Sequence, residues 1–481
     1  MAGSFFFYDL ETSGLDPRSA RIMQFAGQRT DMDLKPVGDP INVMVRLTPD
    51  TVPSPDAIMV TGITPQQTLA DGLTEVEFLK LFHAEVVQPG TIYVGFNTVR
   101  FDDEFMRHIH WRNFYDPYEW SWANDCSRWD ILDLIRMTRA LRPGDVEWPF
   151  SPEGKATNRL ELLTKLNGLD HEHAHDALND VLATIAVTKL VRSKQPDLFN
   201  YLLFSRDKKS AAKRVESGQP FVYTSGRYPS ETLHTTAAVL LTKHPQAGSA
   251  LVYDLRHDPT PYMQMSPTEL ADIWRYNPDR NAKRLPVKTM KYNRCPAVAP
   301  LGVLKEATAQ ENIALQLDRV SMNYNLLKSG QQAFAKNVLA ALRILDNERE
   351  AKQAKTIPDV DARLYEKFMS DNDKNVCKAI RAAQSNDLTT IAQDIKDERL
   401  QLLLPLYKAR NFPKSLTDEE RIVWDEYCKK QVFEGETRSK LAKYFERLGE
   451  LAETDLTDNQ KYILEELQLY GQSIIPGDVA D

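Results

Sequence analysis

The chain has 481 residues and a formal net charge of −8, with 42% hydrophobic, 27% charged and 9% aromatic residues. That length suggests about two to four domains, and the composition is that of a soluble globular protein able to bury real cores. The charge excludes a chain that is basic all over, but not a basic groove on an acidic protein. The longest apolar runs, such as Phe5-Phe6-Phe7 and Ala237–Leu241, are strand-sized. They fall far short of the about 20 residues that a membrane span needs. No basic region followed by a long apolar stretch opens the chain, so a secretory signal is not expected. Cys126, Cys295, Cys377 and Cys428 lack metal-ligand spacing and read as structural thiols of a reducing cytosol.

The first ~195 residues alternate strand-like and helix-like segments, as an α/β layer structure does. Phe5–Asp9, Met23–Arg29, Ile41–Leu47 and Thr91–Gly95 read as strands, with turn chemistry at Lys35–Pro40 between the second and third. Asp102–Asn113, Trp129–Leu141, Arg159–Leu166 and Asp176–Arg192 read as helices. Gln195-Pro196-Asp197 is a plausible exit from this domain. The stretch that follows holds short β-like runs at Phe221–Thr224, Ala237–Thr242, Ala250–Asp254 and Val287–Tyr292, and predicts a mainly β domain with helices appended. From Val360 onward apolar residues recur at helical spacing, as at Leu400, Leu403, Leu404 and Tyr407, and predict a helical C-terminal domain. The divisions fall at 1–195, 196–352 and 353–481.

The chemistry begins in Phe5-Phe6-Phe7-Tyr8-Asp9-Leu10-Glu11. On a strand, residues i and i+2 share a face, so Asp9 and Glu11 project together from the end of an apolar strand. Carboxylates this close repel unless protons or cations neutralise them, and hard divalent ions take such oxygen ligands. Taken alone, an Asp-x-Glu at a strand end is more often simply solvated. Asp102 falls near a helix N-terminus, where an acid is also a common cap. In His175-Asp176-Ala177-Leu178-Asn179-Asp180 a helix would set His175 and Asp180 about 140° apart. They converge only if His175 lies in the loop before the helix, with Asp176 as N-cap.

Together these residues resemble the DEDDh exonuclease family, whose motifs are Asp-x-Glu on the first strand, a middle Asp, and His-x4-Asp at a late helix. Asp9, Glu11, Asp102, His175 and Asp180 match in type, order and spacing. Each motif is weak singly and the ordered set is strong. Thr61-Gly62-Ile63-Thr64 is similar to the family's substrate-contacting segment. Val99–Glu104, Arg112–Tyr118, Trp120-Ser121-Trp122, Ala140–Pro143 and Ala409–Pro413 extend the likeness to nearly the whole chain. It resembles the bacterial exodeoxyribonuclease I family of the DnaQ-like superfamily.

That resemblance implies an RNase H-like nuclease domain with a mixed sheet, then an SH3-like domain and an α-helical C-terminal domain. It implies a monomeric, cytoplasmic 3′ to 5′ exonuclease that degrades single-stranded DNA to 5′-mononucleotides in repair and recombination. Two Mg²⁺ ions, for which Mn²⁺ can substitute, would be held by Asp9, Glu11, Asp102 and Asp180. His175 would be the general base; His171 and His173 lie nearby, but only His175 has the family spacing to Asp180. Glu11, Thr12 and Arg159 would contact substrate, and Arg107, Tyr118, Trp122 and Arg136 would contact DNA among many aromatics that packing explains. A partnership with the tail of single-stranded DNA-binding protein is also implied, with Arg319 in the corresponding region.

The residues add one further expectation. Lys283–Arg294 carries five basic residues and no acid. In an acidic chain this local excess favours a phosphate track through Lys288, Lys291 and Arg294, although a solvated basic face is the usual explanation of such a run. Competing readings are a proofreading or RNA-trimming enzyme of the same family, and a non-catalytic nucleic-acid-binding module that kept the fold. The two large C-terminal domains argue against the trimming enzyme, and the five intact site positions argue against the module.

Overall fold

The computed structural model describes residues 3–169, 176–279, 282–353, 358–435 and 438–475. The chain divides into two compact units. One takes in Met1–Ser127, His171–Leu182 and Pro358–Asp481; the other takes in Arg128–Asp170 and Ala183–Ile357. The C-terminal helices thus belong to the same unit as the first strands.

Strands β1 (Ser4–Thr12), β2 (Ile22–Thr30), β3 (Ile41–Met44), β4 (Thr91–Gly95) and β5 (Ser127–Asp130) form a sheet in the order β3-β2-β1-β4-β5. β1 is antiparallel to β2 and parallel to β4, so the sheet is mixed. Aromatic side chains fit a pleated, covered surface, and Phe5, Phe6, Phe7 and Tyr8 are all buried. Phe6, Tyr8 and Leu10 face a core with Phe25, Phe78 and Phe82. By the period of two, Asp9 and Glu11 stand on the other face. Gly95, the last residue of β4, has no room for a side chain: a Cβ there would lie 2.0 Å from Thr98 Cγ2 and 2.8 Å from the Tyr8 carbonyl oxygen. The turn after it places Asn97 in the left-handed region (φ 71°) and delivers helix α1 (Asp102–Arg112).

Several boundaries differ from the sequence reading, β1 running to Thr12 rather than Asp9 among them, and two of the differences have clear local reasons. The third strand stops at Met44 rather than Leu47. Val45 pairs instead with Leu73 in an isolated bridge, and Arg46 N–H donates to the Leu73 carbonyl at 2.8 Å. Trp129 belongs to β5, and helix α2 starts at Ile131 (Ile131–Leu141). Asp130 caps it, Oδ1 accepting from Leu132 N–H at 3.0 Å. Helices α3 (Leu160–Leu166) and α4 (Ala177–Lys194) follow.

The second unit carries an antiparallel sheet in the order β10-β6-β7-β8-β9. Its strands are β6 (Phe221–Thr224), β7 (Thr235–Lys243), β8 (Ser249–Asp254), β9 (Val287–Lys291) and β10 (Ala297–Pro300). β10 escapes the sequence reading; it is four residues long and ends on Pro300. The last strand pairs with the first, antiparallel, from Ala297↔Thr224 to Pro300↔Phe221. Helix α5 (Leu317–Gln353) runs 37 residues in this unit. Gln331 Nε2 donates to the Leu240 and Leu241 carbonyls, both at 2.9 Å, and Asn323 Nδ2 to the Leu255 carbonyl at 2.9 Å, which ties the helix to β7 and the end of β8.

In the first unit, helix α6 (Glu398–Asn411) buries Leu400, Leu403, Leu404 and Tyr407 as the helical spacing predicts. A buried ion group fastens this region to the nuclease core. Arg410 meets Asp50 (2.7 Å) and Asp361 (2.9 Å), and Arg21 meets Asp361 (2.7 Å). Burial alone would raise Asp361; the guanidiniums of Arg410 and Arg21 outweigh it and hold the carboxyl well below its ordinary range. Among the described residues, no helix is long and apolar enough to cross a membrane.

Candidate active site

Three acids meet at the C-terminal end of β1. Asp9 and Glu11 come from that strand and Asp180 from the first turn of α4. Ligand oxygens of the three lie within 4.8 Å of one another. Glu11 is only 9% exposed, and Asp9 and Asp180 are half-buried. Asp102, the first residue of α1, is buried. It is not one of the three whose oxygens cluster, yet its charge reaches Asp9.

The electrostatics follow from the crowding. Burial pushes the Asp9 carboxyl well up, and Asp102, Asp180 and Asp176 push it further. Burial pushes Glu11 up to about 9, with Asp9, Asp180 and Asp176 adding to it. The neighbouring charges behind both shifts are all carboxylates. Such a site is either protonated or filled by a cation from outside. Among the described residues the donors are all carboxylate oxygens, a set that fits a hard divalent ion.

Asp176 caps α4 as its position predicts, Oδ1 accepting from Asn179 N–H at 3.1 Å. Sequence reasoning gave it that role alone. The structure adds that its charge acts on both Asp9 and Glu11, which only the fold could reveal. His175, with His171 and His173, lies outside the described residues. Thr12 is buried, and its hydroxyl donates to the Gly14 carbonyl at 2.9 Å.

The expected DNA contacts divide between the units. In the first, Arg107 is buried, pairs with Glu104 at 2.7 Å, and lies over the Tyr118 ring at 5.6 Å. Trp122 is 64% exposed, whereas Trp111 and Trp120 are buried in the core. In the second, Arg136 pairs with Asp133 at 2.7 Å, and exposed Arg159 stands one residue before α3, 3.7 Å from Glu161. Lys288 and Lys291 lie on β9, and Arg294 ends the turn after it. Both lysines line a groove of about 1070 Å³ with Arg227, Arg284 and Tyr276, which is 91% exposed. Arg227 is far from the basic run in sequence and no local pattern marks it. Arg319 is exposed in a separate groove beside Arg256.

A mixed sheet with an acid cluster at the end of its first strand defines a nuclease of the exonuclease class, and the family model described as "Exonuclease" matches residues 6–188. "Exonuclease I SH3-like domain" matches 206–342, and "Exonuclease I C-terminal domain" matches 358–474. Exodeoxyribonuclease I of Haemophilus influenzae is 37% identical over 98% of this chain and 99% of its own. The zinc-bound form of the Escherichia coli exonuclease I–single-stranded DNA complex superposes with a TM-score of 0.90 at 34% identity, over 98% of this chain and 100% of that one. A structure of SSB/exonuclease I with an inhibitor gives 0.88 at 33% identity, over 99% and 100%. The chain belongs to the exodeoxyribonuclease I family.

The raised acids predict a linked pH dependence. Glu11 favours the folded, metal-free protein most below its ordinary value of 4.5, and that contribution is lost as pH rises through about 9. A divalent ion replaces the protons, so the rise in Tm given by fixed Mg²⁺ should grow from about pH 6 to about pH 8.5. Calorimetry in matched buffers checks this; an equal rise at both pH values would contradict it.

Proposed function

We propose that this enzyme removes nucleotides one at a time from the 3′ end of single-stranded DNA by two-metal hydrolysis, releasing 5′-mononucleotides. The observation that carries this reading is the convergence of Asp9, Glu11 and Asp180, with the Asp9 and Glu11 carboxyls pushed up by burial and by neighbouring acids, in a chain of this family. The DNA-bound relative supports the substrate, and its zinc-bound form supports a divalent ion in this family. Mg²⁺ is the physiological ion of this proposal, with Mn²⁺ able to replace it.

In this mechanism Asp9, Glu11, Asp102 and Asp180 would hold the ions. The bound ions would supply neutralisation of charge on the phosphate and on the departing oxygen. Water attacks the terminal phosphorus while the bond from phosphorus to the 3′ oxygen of the preceding nucleotide breaks. His175 takes the proton of the attacking water, since an imidazole titrates near neutral pH. Arg159 and Thr12 bind the terminal nucleotide. Arg107, Tyr118, Trp122 and Arg136 hold neighbouring nucleotides by stacking and charge, and Lys288, Lys291 and Arg294 hold phosphates further upstream.

The reading includes domain limits near residues 195 and 352, a monomer, a cytoplasmic location, and work in DNA repair and recombination. It also includes a partnership with single-stranded DNA-binding protein, which the SSB/exonuclease I relative supports, and assigns the contact with its tail to the region of Arg319.

Two outcomes test it. Asp9→Ala and Asp180→Ala should each lose at least ~100-fold in rate on 3′ ends of linear single strands, given what a metal supplies. Chelator should abolish wild-type activity, and circular single strands should survive. Activity in excess chelator, or cleavage of circles, would overturn the assignment. Separately, replacing Lys288, Lys291 and Arg294 together with Ala should weaken binding of long oligonucleotides. It should also flatten the salt dependence, by about 0.7 in log–log slope per lost phosphate contact. Very short oligonucleotides should be cleaved as before; equal loss on both lengths would contradict the track.

A further inference from the structure

β1 and β2 pair so that Glu11 stands opposite Gln24. Cross-strand partners project to the same face of a sheet, so the Gln24 side chain lies beside that of Glu11. Gln24 is buried. Its Nε2 donates to Asp176 Oδ2 at 3.1 Å and to Asn42 Oδ1 at 2.9 Å, and its Oε1 accepts from Ala177 N–H at 3.3 Å. Two acceptors at one end and one donor at the other fix the orientation of the amide.

The residues it grips are the first of α4. Asp176 in turn holds the helix start, with Oδ1 accepting from Asn179 N–H at 3.1 Å and its carbonyl from Asp180 N–H at 3.0 Å. A continuous chain of hydrogen bonds therefore runs from the sheet position opposite Glu11 to the backbone of Asp180. Asn42, on β3, braces the amide from behind. Gln24 and Asn42 are neutral and the only charge in the clamp is the Asp176 carboxylate, so it adds no cation that would compete with an ion among the acids.

We infer that Gln24 is a positioning residue for the acid cluster: it fixes the start of α4 against β2, and so sets the separation of Asp180 from Glu11. Gln24 touches neither substrate nor ion, and acts through Asp176. The inference rests on the reading of Asp9, Glu11 and Asp180 as ion ligands. Partners of this outer kind hold ligands at the spacing an ion needs, and their loss costs roughly 10- to 100-fold in metal affinity or activity. No sequence motif marks Gln24, because its importance comes from strand register and from a helix more than 150 residues away.

The test uses the full-length protein. Gln24→Met keeps the length and loses the hydrogen bonds. It should weaken Mn²⁺ binding, read by electron paramagnetic resonance in the absence of DNA, roughly 10- to 100-fold. The Mn²⁺ concentration for half-maximal rate should rise in step, with KM for single-stranded DNA unchanged. Gln24→Glu should do the same, because it sets a carboxylate against Asp176. The double variant Gln24→Glu with Asp176→Asn exchanges donor and acceptor at constant charge, while the new amide oxygen can still cap Asn179. It should return Mn²⁺ affinity to within about threefold of wild type, which recovery of a generic fold defect would not do. Wild-type affinity in Gln24→Met, or a folded double variant no better than Gln24→Glu, would overturn the inference. The wild-type titration run beside them reports on the ion-site reading itself: absence of Mn²⁺ binding there would refute that reading, whereas the variant-to-wild-type ratio judges the clamp.

Discussion

Carboxylates packed at the end of a buried strand repel one another, and the rest of the nuclease unit is arranged around that repulsion. Asp9 and Glu11 cannot move apart, because β1 is hydrogen-bonded between β2 and β4 and its aromatic residues are locked in the core. Asp180 cannot withdraw either, since its backbone is bonded to Asp176, which is itself held. The acids therefore keep protons or take up cations. Coulomb energy that would be minor in water is amplified by burial, which is the largest cause of the shift at both Asp9 and Glu11. The site stores the electrostatic demand that an ion satisfies.

A second buried electrostatic group has the opposite sign of balance. Around Arg410 and Arg21 the acids Asp50 and Asp361 are matched by guanidiniums, and both carboxyls are held below their ordinary range. Next to it Glu75 is met by Arg112 at 2.6 Å. The comparison separates structure from function within one unit. Matched buried charges fix the helical C-terminal region to the nuclease core, whereas acids crowded against other acids, as at Asp9 and Glu11, mark the place for chemistry. Breaking a matched pair by removing one partner is costly, of order 3–5 kcal/mol, because the remaining charge is left buried.

The chemistry was legible in the sequence to the extent that local periodicity carries it. A spacing of two on a strand put Asp9 and Glu11 on one face. A capping position put Asp176 at the start of α4, and hence Asp180 in its early turns. The short strands β6 and β8 were likewise visible as apolar runs. What local pattern could not supply was contact at long range. Arg21 meets Asp361 across 340 positions, so nothing near either residue announces that the C-terminal helices share a unit with the first strands. Gln24 and the electrostatic reach of Asp176 stayed hidden for the same reason, as did Arg227 beside Lys288 and Lys291. The misplaced start of α2 came from reading Trp129 by hydrophobic spacing, when Asp130 was the cap that decided the boundary.

The central claim is that the acids at the end of β1 form a divalent-ion site. Diffraction from crystals soaked in Mn²⁺, recorded at the manganese absorption edge, tests it most directly. The account predicts anomalous peaks within roughly 2.0–2.6 Å of carboxylate oxygens of Asp9, Glu11 and Asp180, the range of hard-cation oxygen ligands. Peaks only elsewhere on the protein, with these three acids unliganded, would contradict it.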